Sequence, residues 1–150
     1  MNPTLPTNPP DDVAVSELPA ALRVRPLVIH ANTVEATLTE AAWLLRTRGH
    51  WQGGSCPDAS NREMCIPQWL RPMSIVAAIK CAVSGDPQSD SLIADNALAV
   101  VALSLADKPQ YGDIFSLEEH IDSWGNEPDR STDDVVAMLE HLTATLGRAA

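Results

Sequence analysis

The sequence predicts a mainly α-helical protein, a compact bundle of four to five helices with one long loop-rich insert and at most one short strand or hairpin. Three observations carry this. Apolar residues recur at helical spacing in several separate stretches. Helix start and stop residues bracket most of those stretches. Of 150 residues, 45% are apolar, enough for one core of ordinary size and too few for two.

Residues 1–18 read as a proline-rich arm outside the domain, which is assigned to 19–150. Pro3, Pro6, Pro9 and Pro10 remove backbone donors and hold the chain extended, and Asp11 and Asp12 add charge. Leu22–His30 alternates in polarity and is rich in branched residues, the signature of a short strand that Pro26 confines to an edge or breaks. The first helix is expected from about Thr33 to Arg48, with Asn32 as N-cap and Glu35 three residues later as its capping-box partner. Val34, Leu38, Ala41 and Leu45 form its buried stripe, Arg46 and Arg48 complement the dipole in the last turn, and Gly49 follows as the C′ residue.

His50–Arg71 is the insert. It holds Gly53, Gly54, Pro57 and Pro67, two of three cysteines and two of four tryptophans. Its length far exceeds the ~4–6 residues of an ordinary connection, so it carries local structure or a role. A second helix starts near Pro72 and ends at Gly85, burying Ile75, Ile79 and Ala82. The third, about Ser89 to Asp107, is apolar nearly all round and is expected at the centre of the core. Ser116 with Glu119 marks a short helix stopping at Trp124-Gly125. Ser131 with Asp134 opens the last helix, whose stripe is Val135, Leu139, Leu142 and Leu146.

Charge and cysteine usage exclude several classes. Twenty acids against ten bases give a formal charge of −10, which argues against nucleic acid and against an anionic membrane surface. The charge is uneven: Met1–Gly85 has seven acids and seven bases, whereas Asp86–Ala150 has thirteen acids against Lys108, Arg130 and Arg148. A solvated, self-repelling surface explains this half, and so does a face that docks a basic partner. Cys56, Cys65 and Cys81 are too few and odd in number for a disulfide scaffold. No signal peptide is read at the N-terminus, and the longest largely apolar run, Ala97–Ala106, falls well short of the ~20 residues that cross a bilayer. The expected setting is cytoplasmic.

The insert is where chemistry would gather. His50, Cys56 and Cys65 are metal-capable, but neither their number nor their spacing matches a structural zinc site. Cys65 has Arg62 and His50 nearby to lower a thiol pKa, while flanking Met64 and Ile66 make it read as a small hydrophobe. Cys81 reads as core. No nucleophile elbow, phosphate loop, dinucleotide fingerprint or zinc-protease motif occurs. No catalytic residue, metal ligand or cofactor is therefore assigned. Trp51, Trp69 and Trp124 stand at element ends, where a large ring seals a small core or anchors a partner.

Two ordered stretches resemble a known family. One is Arg48-Gly-His-Trp-Gln-Gly53 followed by Cys65 and the alanine-rich Ser74–Ala82. The other is Ile121-Asp-Ser-Trp124 with Pro128, Arg130, Ser131 and the helix from Val135 to Leu139. Together they resemble a small, uncharacterised helical family of actinobacteria and their phages, with the pattern Gly-Trp-x-Gln-Gly, then Trp-Cys, then Trp-Asn-Asp-x-Pro-Gly-Arg-Thr. The resemblance spans about Thr33 to Leu146. Met64 departs from the tryptophan before the cysteine, Gly125-Asn126 from Asn-Asp, and Asp129 from the glycine before Arg130. It implies a helical fold and no particular reaction. On the matching residues, Trp51 and Trp124 read as packing lids and Arg130 as a clamp on a carbonyl or carboxylate at the last helix's start.

The candidate binding residues are thus Trp51, Gln52, Trp69, Trp124 and Arg130. The expected function is that of a small acidic interaction or regulatory protein without catalytic activity, its partner another protein of basic character. The alternative is a ligand- or metal-binding domain or cysteine enzyme centred on His50–Cys65, and self-association through the aromatic rim is a third reading.

Overall fold

The computed structural model describes residues 31–62 and 65–149. The arm predicted over 1–18 and the strand predicted over Leu22–His30 lie outside these residues. Among the described residues there are five α-helices and no strand: α1 (Val34–Arg48), α2 (Ile75–Ser84), α3 (Leu92–Ser104), α4 (Ile114–Gly125) and α5 (Thr132–Ala149), with a 3₁₀ turn at Gln68–Leu70. The mainly α bundle with a loop-rich insert is the architecture found.

Each start is set by a short polar side chain, and four starts move from where the sequence placed them. That of α3 moves from Ser89 to a cap at Ser91, whose Oγ accepts the Ala94 amide at 3.2 Å. Thr33, not Asn32, caps α1: its backbone is extended and its Oγ1 accepts the Ala36 amide at 3.1 Å. Both residues are good caps, and the shift of one leaves Glu35 a residue short of the capping-box position. Ser74 caps α2 by accepting the Ala77 amide at 3.1 Å, two residues beyond Pro72. Asp113 caps α4, three residues before Ser116, because its carboxylate accepts both the amide and the hydroxyl of Ser116 at 3.2 and 2.7 Å. Those bonds hold the Asp113 carboxyl below its ordinary pKa. At α5 the expected box forms in full: Ser131 Oγ accepts the Asp134 amide and Asp134 Oδ2 accepts the Ser131 amide, at 3.1 and 3.0 Å. Gly85 ends α2 in the left-handed region (φ 80°), donating to the Cys81 carbonyl at 2.7 Å.

α1 packs chiefly on α5 and α2, and α3 on α4 with α1 and α2 beneath it. Leu38, Leu45, Met73, Ile75, Ile79, Leu98, Val101, Ile121, Val135 and Leu139 are fully buried and form one interior. The helix at the centre is α2, not α3. Seven of its ten residues, Ile75 to Ile79 with Cys81 and Ala82, are buried. α3 places Ala94, Ala97, Leu98, Val101 and Ala102 inward, while Leu92 and Leu103 stand 75% and 57% exposed on the opposite side. Uniform apolarity marked α3 as central, but it does not say how many sides find a neighbour: α2 buries seven of its ten residues and α3 five of thirteen.

Candidate functional site

The chain leaves α1 at Gly49 with φ 96°, a left-handed conformation that frees it to turn back along the bundle. An isolated parallel bridge then ties His50 to Met73, with Trp51 N–H donating to Met73 O at 2.9 Å and Met73 N–H to Gly49 O at 3.1 Å. This sets the start of the insert against the turn between α4 and α5. His50 N–H donates to Thr132 Oγ1 at 3.2 Å, and Gly53 N–H to Asn126 Oδ1 at 3.2 Å. The Gln52 amide donates to the carbonyls of Gly125 and Glu127, both at 2.9 Å. Gly125 accepts this close approach because it has no side chain: a Cβ there would lie 3.1 Å from Ile75 Cδ1 and 3.2 Å from His50 Nε2. Burial lowers the pKa of His50 at this seam.

On the far side of the same turn the Arg130 guanidinium stacks over the Trp124 ring at 3.7 Å, donates from Nε to the Trp124 carbonyl at 3.1 Å, and pairs with Glu127 at 2.8 Å. Gln52, Trp124 and Arg130 therefore converge on one seam, where the guanidinium holds a carbonyl of its own chain. Trp51 adjoins it along the chain and is 38% exposed. Trp69 stands apart. Its carbonyl accepts from Arg48 Nε at 3.4 Å. Trp69 also lines a shallow, open cleft of about 240 Å³ with Arg62, Pro67, Gln68, Asp86 and Pro87, and Arg62 and Asp86 approach to 3.6 Å there.

The organiser of the insert is a residue the sequence did not single out. Arg71 is 3% exposed, and its guanidinium donates to four backbone carbonyls: Ile66 at 2.9 Å, Pro57 at 3.0 Å, Asp58 at 2.9 Å and Asn61 at 2.8 Å. Gln68 and Gln88 add a second tie, both donating to Ala59 O at 2.7 Å. The signal was present, since a long segment with no helix of its own needs a multiple donor for its carbonyls, and Arg is the side chain with five.

Cys56 is buried and Cys65 exposed. Among the described residues no group of three His, Cys, Asp or Glu side chains is placed to hold a metal ion. Cys81 is buried under α2, and that burial, with Asp86 nearby, pushes its thiol up to about 12. A separate charged cluster joins α2, the α2–α3 link and α4: Lys80 Nζ lies 2.7 Å from Asp90 and 2.8 Å from Glu118. Burial, and then Glu118, raises the neighbouring Asp122 to about 6.

Tyr111 and Phe115 are 62% and 77% exposed, on the link after α3 and in the first turn of α4. His120 Nε2 lies 2.6 Å from Asp107 O and pins α4 to that link.

Fold and site together define a small all-α domain whose insert is stitched to its last two helices by side chain–backbone bonds. The chain belongs to the family of unknown function DUF6197, which matches it over residues 30–145. No curated protein matches the chain, and no solved structure does. Among the described residues no helix is long and apolar enough to cross a membrane.

Proposed function

We propose that this protein is a non-catalytic interaction or regulatory protein that binds another protein, of basic character, through the α3–α4 side. The observation that carries this reading is the placement of Leu92, Leu103, Tyr111 and Phe115, four large apolar side chains more than half exposed in the acidic part of the chain. Exposed apolar groups of this size, rimmed by charge, belong to interaction surfaces. The seam around Gln52, Trp124 and Arg130 serves instead as the stitching that keeps the insert in place, since its donors are turned onto the chain's own carbonyls. A cytoplasmic setting is supported by three free thiols. An actinobacterial or phage origin is supported by the motif resemblance alone.

The test is affinity capture from a cell extract with the wild-type chain and with a Leu103→Ser/Phe115→Ser double variant of unchanged circular dichroism. A protein retained by the first and lost from the second supports the reading. Identical capture by both, or turnover of a small substrate by the purified chain, overturns it.

A further inference from the structure

The exposed apolar residues of α3 are not scattered. At ~100° per residue, Leu92, Asn96, Ala99 and Leu103 fall within about 60° of one another, directly opposite Val101 at the centre of the buried face. The outer line of α3 thus carries a leucine near each end, Leu92 and Leu103, with Asn96 and Ala99 between them. Tyr111 and Phe115 follow on the link after α3 and in the first turn of α4, the helix that packs on α3.

The charges around these residues are mostly acidic, with Asp90 and Glu118 already paired to Lys80. Asp90 and Asp95 flank Leu92, Asp107 follows Leu103, Asp113 lies between Tyr111 and Phe115, and Glu118 and Glu119 stand one turn beyond Phe115. From Asp86 to Gly125 there are eight acids and a single base, Lys108. That lysine is turned back onto the carbonyls of Leu103 and Leu105 at 2.5 and 3.3 Å. Lys80, the nearby cation on α2, is held by Asp90 and Glu118. Trp51, the other large exposed aromatic of the chain, has no acid within four residues.

From this we propose that the outer face of α3, with Tyr111 and Phe115, seats an amphipathic helix of the partner whose apolar stripe is bordered by lysine or arginine. The inference rests on the function proposed above and names the partner's chemistry. Leu92 and Leu103, ~16 Å apart on one line of α3, match apolar anchors spaced along one face of a helix laid beside it, and the carboxylates nearby match flanking cations. A second copy of this chain is the wrong occupant, because it would bring a second charge of −10 against the first.

The probes are three fluorescent eighteen-residue peptides: a leucine-striped helix with lysine flanks, the same stripe with glutamate flanks, and the lysine peptide scrambled to abolish the stripe. Anisotropy with the full chain is expected to show binding of the first peptide at least tenfold tighter than of either control. Affinity should fall at least tenfold for Leu103→Ser/Phe115→Ser, and several-fold for Asp107→Asn/Glu119→Gln or on raising the salt. Equal binding of the scrambled peptide, equal binding of the glutamate peptide, or no binding overturns the proposal. So does a concentration-dependent dimer, seen by light scattering, that the Leu103→Ser/Phe115→Ser variant abolishes. If the peptides fail while the double variant still loses a captured protein, the helix assignment falls and the interaction function stands. Failure of both removes the function as well.

Discussion

Replacing Arg71 with alanine tests what holds the insert together. The guanidinium is almost wholly enclosed and joins four carbonyls at 2.8–3.0 Å, drawn from Pro57, Asp58, Asn61 and Ile66. A hydrogen bond to a charged group is worth about 1.5–3 kcal/mol, but four made by one side chain do not add, and water replaces part of what is lost at a surface loop. The expected cost is about 3–5 kcal/mol, which for a chain of this length lowers Tm by roughly 10 °C. Thermal unfolding followed by circular dichroism gives the total. Hydrogen exchange gives the location: the Asn61 and Ser74 amides, bonded to Asp58 and Ser55, lose protection, while the Gly49 amide on Leu45 keeps it. Arg71→Lys recovers less than half of the loss, since an ammonium lacks the planar fork that reaches four carbonyls. An alanine variant within about 1 kcal/mol of wild type, with Asn61 still protected, refutes the reasoning.

Four further outcomes follow from the same geometry. Gly125→Ala places a methyl 3.1–3.2 Å from Ile75 and His50 and should cost about 1–3 kcal/mol by denaturant unfolding, with no cost meaning the seam is looser than drawn. Arg130→Gln removes the stack on Trp124 and the bond to its carbonyl, for about 1–2 kcal/mol in thermal unfolding, and Arg130→Lys does not restore the bond geometry; full stability in either variant contradicts this. Asp122 has a folded pKa of about 6 against an ordinary 3.8, so stability is lost as the pH rises from about 3.8 to about 6; Asp122→Asn should raise Tm at pH 8, and the gain should shrink as the pH falls from about 6 to about 4. Of the three thiols, only Cys65 should react with a disulfide reagent in the native protein at pH 8, with Cys56 and Cys81 following on unfolding; early reaction of Cys81 would contradict its burial.

The fold was legible wherever a periodic stripe had a cap or stop signal beside it. Leu38, Ala41 and Leu45 in α1, and Val135 and Leu139 in α5, are fully buried as their spacing required. The starts were less legible because neighbouring residues compete for one job: Asn32 and Thr33 both cap well, and Asp113 outbids Ser116 by accepting two of its donors. The centrality of α2 was hidden by its brevity, and the open side of α3 by an apolar composition that does not say which face finds a neighbour. At the candidate site the tryptophans and Arg130 were visible as residues. That Arg130 clamps a carbonyl or carboxylate was legible too; which carbonyl, and the partners of Gln52, were not, because the main-chain carbonyls of Gly125, Glu127 and Trp124 are advertised by no side-chain pattern. Arg71 was missed although the length of the insert called for a multiple donor.

That reliance on carbonyls has an evolutionary side. Arg71 touches Pro57, Asp58, Asn61 and Ile66 only through atoms that every amino acid possesses, so it does not inspect which residues occupy the loop. Substitution at the exposed positions of 58–62 can therefore drift with little penalty, apart from Asp58, whose positive φ of 49° narrows the choice there. Insertions or deletions are another matter, because one residue more or fewer moves a carbonyl out of reach of the fork. Relatives should accordingly vary in the lettering of this loop while keeping its length and its arginine.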